Sequence, residues 1–238
     1  MINKYSSINI YEDKKKYSKL SSQILYGEKF TILKRYKDWY KIKTSYDKYV
    51  GFIKKKKFES FVHKPTHKVS SLKAKVFLKP NKTSKVRMKL SFTSLIQVKS
   101  SNKEFLNFDN YWIQKSNVVP LSYKEKTFKR IKIFRNVKYK WGGKKFDGVD
   151  CSGLIQLFYK FNNLYCPRDT GPQFKYFKKL RSIKKDSIIF WKGHVAICLS
   201  TKKLIHAYGP RKKVIIMDIK KTIKLIKKTA KLEVIGIK

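Results

Sequence analysis

The chain has 238 residues, enough for one large domain or two to three small ones, and 42% hydrophobic with 15% aromatic content is enough to fill real cores. No run approaches the roughly 18 apolar residues of a membrane span, and the first twenty residues lack an apolar stretch of signal-peptide length, so the expected location is the cytoplasm. Three cysteines with no CxxC pair suit a reducing compartment and argue against finger-type zinc.

Charge is the outlying property: 59 Lys+Arg against 15 Asp+Glu, net +44. Such a balance points either to a polyanion partner or to lysine drift in composition. Lysine is spread from end to end, with Lys54 to Lys57 the one tight run, and a binding face would concentrate it. Drift is therefore the preferred reading, with nonspecific adhesion to polyanions expected either way.

In chain order, residues 1–62 and 66–121 each read as a set of short strands. The first set contains QILYGEKFTILKRY, WYKIKTS and YVGFIK; the second contains KVSSLKAKVFLKP, SLIQVKSS and YWIQKSNVVPL. Gly27, Asp38, Asp47, Pro80, Asn81 and Asn110 supply the turns. The sets look like a repeat about 55–60 residues apart, joined by a linker around Pro65, and predict two small β-barrels. His63 and His67 fall in that linker and are expected to be solvated.

The pattern changes over residues 123–238, which predict an α+β domain. Residues 123–136 read as a helix with Phe128, Ile131 and Phe134 on one side. A Gly142-Gly143 turn precedes Cys151, after which Leu154, Ile155, Phe158 and Phe161 fall on one helical face. Beyond a loop with Pro167 and Pro172 come strands SIIFW, HVAICLS, KLIHAY and VIIMDI, a helix over 220–229, and a last strand in EVIGIK.

Cys151 is the candidate nucleophile. A thiol at a helix N-terminus meets unpaired N–H groups and the positive end of the dipole, which lower its pKa and favour the attacking thiolate. Cysteine catalysis also needs a base and a group that orients it. His194 and His206 are the candidates, because adjacent antiparallel strands can set two imidazoles side by side. Cys166 and Cys198 read as structural; Cys198 lies roughly 13 Å along the strand from His194.

Five pieces in order then carry a resemblance: Tyr139-x-Trp141-Gly142-Gly143, Asp150-Cys151-Ser152-Gly153-Leu154, Pro167-Arg168-Asp169-Thr170-x-x-Gln173, Ile189-Phe190-Trp191-x-Gly193-His194-Val195-Ala196-Ile197 and Ile205-His206-Ala207. They resemble the NlpC-type cell-wall peptidases, a papain-like cysteine peptidase family, and the preceding half looks like two bacterial SH3-like barrels. The resemblance implies Cys151 as nucleophile, His194 as base, His206 as its orienter and Tyr139 at the oxyanion site. It further implies hydrolysis of the γ-D-glutamyl–diamino acid bond of peptidoglycan-derived peptides, with no metal or organic cofactor. Members with two SH3-like barrels tend to act on free peptides with an N-terminal L-Ala. By that analogy Asp150 would hold the substrate's α-ammonium. Ser152, Arg168 and Thr170 would hold the D-Glu α-carboxylate, and Glu28 with Tyr46 or Tyr49 would contribute from the first barrel. Lys185-Asp186-Ser187 stands where the family usually has glycine-aspartate. The competing readings are a wall-acting endopeptidase or effector, a related acyltransferase, and a polyanion-binding protein with a vestigial site. Oligomeric state is not readable from the sequence.

Overall fold

The computed structural model describes residues 1–58 and 64–238, which leaves His63 outside the described residues. The chain divides into two compact units, residues 1–124 with 161–163 and residues 125–160 with 164–238.

In the N-terminal unit, β1 (Ser7–Tyr11), β2 (Leu20–Leu25), β3 (Phe30–Arg35), β4 (Trp39–Thr44) and β5 (Val50–Lys54) form an antiparallel sheet in the order β2-β1-β5-β4-β3. Alternation along these strands turns Ile8, Ile10, Ile24, Tyr40, Ile42 and Ile53 into one core, with Phe30 at the start of β3. The β2–β3 turn needs Gly27: its φ is +77°, and an added Cβ would lie 2.0 Å from the Leu95 carbonyl oxygen.

A second set follows: β6 (His67–Val69), β7 (Lys73–Phe77), β8 (Val86–Ser91), β9 (Leu95–Ile96), β10 (Ser100–Ser101), β11 (Phe105–Phe108), β12 (Tyr111–Gln114) and β13 (Val118–Pro120). These strands split into two sheets, β10-β11-β12-β7-β8 and β13-β6-β9, rather than one. Both SH3-like parts are thus open sheets and not closed barrels. Val69, Ala74, Val76, Leu90, Ile113 and Phe108 fill the second core. Asp109 and Asn110, at φ 46° and 62°, make the two-residue β11–β12 hairpin that their residue types favour. His67 is not in a linker: it opens β6, opposite Ile96 and Pro120, and only half faces solvent. Beside it Lys68 is buried, its ammonium donating to the carbonyls of Leu121 (3.0 Å), Tyr123 (2.6 Å) and Phe161.

The C-terminal unit begins without the expected helix. Residues 131–134 form a single 3₁₀ turn, and the preceding residues are irregular. Phe128, Ile131 and Phe134 are all buried, but their spacing is three residues. That period belongs to a 3₁₀ turn, where i and i+3 eclipse, and not to the 3.6 of an α-helix. A short hairpin, β14 (Lys144–Lys145) and β15 (Gly148–Val149), leads into α1 (Cys151–Phe161) and then α2 (Thr170–Tyr176). Phe128 and Phe134 pack on Phe158 of α1 at 6.2 and 5.7 Å between ring centroids.

The remaining strands, β16 (Ile188–Trp191), β17 (His194–Cys198), β18 (Lys203–Tyr208), β19 (Lys213–Asp218) and β20 (Val234–Ile237), make an antiparallel sheet in the order β19-β18-β17-β16-β20. Helix α3 (Ile219–Ala230) follows β19, its Asp218 cap accepting the Lys221 N–H at 3.0 Å. Asp186, where the family usually has glycine-aspartate, adopts φ 68° before β16, a left-handed conformation that Asp tolerates. Ile189, Trp191, Ala196, Cys198, Leu204 and Tyr208 pack together on one face of the sheet. The α+β, papain-like reading of this unit therefore holds. Among the described residues, no helix is long and apolar enough to cross a membrane.

Candidate active site

The site is assembled around the start of α1. Helix α1 begins at Cys151 because Asp150 caps it: the Asp150 carbonyl accepts the Leu154 N–H (3.0 Å) and Oδ1 accepts the Gly153 N–H (2.7 Å). Its Oδ2 accepts the Gly142 N–H at 2.8 Å, which ties the glycine turn to the helix head. Gly153 has no room for a side chain, since a Cβ would sit 2.6 Å from the Gly143 carbonyl oxygen and 2.8 Å from Asp150 Oδ1.

Arg168 completes this cluster. Its Nη1 and Nη2 donate to the two carboxylate oxygens of Asp150 at 3.0 and 2.6 Å, and Nη1 also donates to Ser152 Oγ at 3.0 Å. All three side chains are buried. The sequence reading placed Asp150, Ser152 and Arg168 on the charged ends of a substrate. In the structure the carboxylate and guanidinium neutralise each other in a bidentate pair, and Ser152 bonds to both. Thr170, the first residue of α2, stays half-buried, and Asp169 before it is exposed.

Cys151 is 7% exposed, and the backbone N–H groups of Val195 and Ser152 hydrogen-bond to it. Its thiol is not lowered, as a helix start alone would suggest, but pushed up to about 12 by burial and then by the Asp150 charge; the two N–H groups and Arg168 oppose this and lose. The resting sulfur is therefore a thiol. Tyr139 is half-buried, and its hydroxyl is raised well above the usual phenol value by burial and then by neighbouring Cys151 and Asp150. Tyr139 is held there by a bridge to Val149 and an N–H bond to the Lys212 carbonyl at 2.8 Å.

The two histidines meet as expected. Lys192 and Gly193 form the two-residue turn that starts β17 at His194, and the β17–β18 register pairs Cys198 with Leu204 and Ile197 with Ile205. Counting back, His194, Ala196 and His206 share a face. His194 Nε2 lies 2.9 Å from His206 Nδ1. His206 is fully buried and stacks on Tyr208 at 4.6 Å and 11°. Burial pushes His194 down to about 4, and burial with the neighbouring imidazole pushes His206 down to about 3, so both rings rest neutral. His206 Nε2 lies 3.4 Å from Met217 Sδ on β19, a contact absent from the sequence reading. Its only sequence signal is a lone thioether after the aliphatic run Val214-Ile215-Ile216.

Glu28, Tyr46 and Tyr49 belong to the N-terminal unit. Glu28 is buried in the β2–β3 turn, where its carboxylate accepts the Leu25 N–H at 2.6 Å. Tyr46 and Tyr49 are half-buried in the β4–β5 connection, and Tyr49 packs on the first core. This unit also holds a cavity of about 860 Å³, with Lys4, Lys56, Arg87 and Lys99 on its wall beside Asp109. Those four cations are close to the share that 59 Lys+Arg in 238 residues would put on any surface, so the cavity is not a concentrated basic face.

Comparison with known proteins finds matches in both units. Residues 136–230 match the NlpC/P60 family, and residues 10–58 match the bacterial dipeptidyl-peptidase SH3 domain. A γ-D-glutamyl-L-lysine dipeptidyl-peptidase of Bacillus subtilis (strain 168) is 26% identical over 231 residues, covering 86% of this chain and 77% of that protein. Dipeptidyl-peptidase 6 of Lysinibacillus sphaericus is 24% identical over 230 residues, covering 84% of each. In fold, the crystal structure of an NlpC/P60 family protein from Bacillus cereus ATCC 10987 superimposes with a TM-score of 0.81 at 18% identity, covering 92% of this chain and 93% of the other.

Proposed function

The chain carries an NlpC/P60 cysteine-peptidase domain, and from that premise we propose that it hydrolyses the γ-D-glutamyl–diamino acid bond of peptidoglycan stem peptides. The substrates in this reading are free murein peptides with an N-terminal L-Ala. The observation that carries it is the 2.9 Å His194–His206 contact on the same sheet as the Val195 N–H that bonds to Cys151. The dipeptidyl-peptidase names of the relatives and the matching SH3 domain support the free-peptide form.

In this mechanism the resting pair is a neutral thiol and a neutral imidazole. As the γ-carbonyl arrives, His194 takes the Cys151 proton on Nδ1, because its Nε2 already faces His206. Sulfur bonds to the carbonyl carbon, and the Tyr139 hydroxyl donates to the developing oxyanion. The C–N bond then breaks, and His194 returns the proton to the departing amine of the diamino acid. Water attacks the γ-glutamyl thioester with His194 again as base, which releases the dipeptide acid and restores the thiol. His206 orients His194 throughout.

Asp150, Arg168 and Ser152 hold Cys151, the Gly142 turn and the head of α2 in register, and Thr170 remains the candidate for the D-Glu α-carboxylate. Asp150 remains the proposed partner of the substrate's α-ammonium, and Ser152 and Arg168 join Thr170 at the D-Glu α-carboxylate. The test is mass-spectrometric assay against L-Ala-γ-D-Glu-diaminopimelate and its N-acetylated form. Release of the diamino acid from the free peptide is expected; cleavage of neither peptide would overturn the reading, and equal cleavage of both would replace it with a wall endopeptidase.

A further inference from the structure

The tautomer of the base decides whether this site works, and the structure contains a group that sets it. A neutral imidazole has one N–H and one bare nitrogen. His194 can take a proton from Cys151 on Nδ1 only if its own proton sits on Nε2, and Nε2 faces His206 Nδ1. His206 Nδ1 must therefore be bare, and His206 must carry its proton on Nε2. The group facing that nitrogen is Met217 Sδ, at 3.4 Å. A thioether has no proton to give and can only accept.

The two possible arrangements are not equivalent. With His206 protonated on Nε2, that N–H donates to Met217 Sδ, His194 Nε2–H donates to His206 Nδ1, and His194 Nδ1 is bare. With His206 protonated on Nδ1, two lone pairs face each other at the sulfur, and His194 is protonated on the nitrogen that should act as base. His206 is fully buried, so water does not supply the missing donor to a bare Nε2 there. The register makes the contact a built one. Met217 lies opposite Leu204 and His206 opposite Ile215, so Met217 and His206 are diagonal neighbours on the face of the sheet that also carries Leu204.

We propose that Met217 is a positioning residue: its sulfur holds His206 as the Nε2–H tautomer and, through it, holds His194 with Nδ1 bare. This rests on the reading of Cys151 and His194 as nucleophile and base, but the tautomers can be measured without turnover. Met217→Leu removes the acceptor at similar volume, and Met217→Gln offers a carbonyl oxygen in its place. By ¹⁵N NMR of histidine-labelled protein, the wild type should show Nε2–H for both residues. Met217→Leu should show a new Nδ1–H population, with kcat lower by about fivefold to tenfold, the usual weight of one hydrogen bond, and KM unchanged. Met217→Gln should restore the tautomers and most of kcat. Unchanged tautomers in Met217→Leu would overturn the proposal, as would a kcat loss that Gln does not rescue, since packing alone would explain it. If Cys151→Ala retained full hydrolysis while the tautomers shifted as stated, the catalytic reading would fail and the Met217 assignment would stand.

Discussion

The two units differ in where they place their ionisable groups. In the C-terminal unit Asp150, Arg168, Ser152, Cys151 and His206 are buried, and each has a named partner within the same cluster. In the N-terminal unit most lysines are exposed, and Lys68 is the exception, buried on backbone carbonyls. Burial amplifies every electrostatic effect, whereas solvent and salt mute those of exposed charges. The size of a substitution's effect should therefore follow desolvation and not charge count.

The largest effect belongs to the sulfur. Cys151→Ala should lower hydrolysis by about 10⁴-fold or more while leaving circular dichroism and thermal unfolding near wild type; retained turnover would break the comparison at its root. Asp150→Asn comes next. It removes the bidentate carboxylate partner of the buried Arg168 guanidinium, and losing one partner of such a pair costs about 3–5 kcal/mol. Urea unfolding should register that loss, and activity should fall more on the free peptide than on its N-acetylated form.

Acid should act in the same direction as these substitutions. His194 and His206 are held at about 4 and about 3 in the folded chain and return to 6.5 on unfolding. Between those values the unfolded chain binds more protons, so stability should fall as pH drops from about 6.5 towards 3. Thermal unfolding across that range checks the sign, and His206→Asn should flatten the slope. The acid limb of kcat/KM should likewise fall near pH 4 and not near 6.5. The smallest effect is expected from paired replacement of exposed strand lysines, Lys75 and Lys89 by Gln, at under about 0.5 kcal/mol in stability. A large loss there would mean that the lysine load is structural.

Much of the C-terminal unit was legible from residue order. The 2-residue alternation through His194 and His206, the helical spacing after Cys151 and the turn at Gly193 are local patterns, and local patterns survive folding. The stretch over 123–136 differs from the expected helix because the strict three-residue spacing of Phe128, Ile131 and Phe134 follows the 3₁₀ period, and Phe128 and Phe134 pack on α1 in that form.

By itself the sequence determined most element types, two histidines on one face of neighbouring strands, a cysteine at a helix head, and the family resemblance. Only the tertiary structure showed the burial that pushes Cys151 up and His194 and His206 down, and the pairing of Asp150 with Arg168. Both depend on desolvation and on partners far apart in the chain: Arg168 is 18 residues from Asp150, and Met217 is 11 from His206. A thiol at a helix start reads as acidic until its burial is known, and the partner of the carboxylate beside it is not visible until the fold has brought the guanidinium to it.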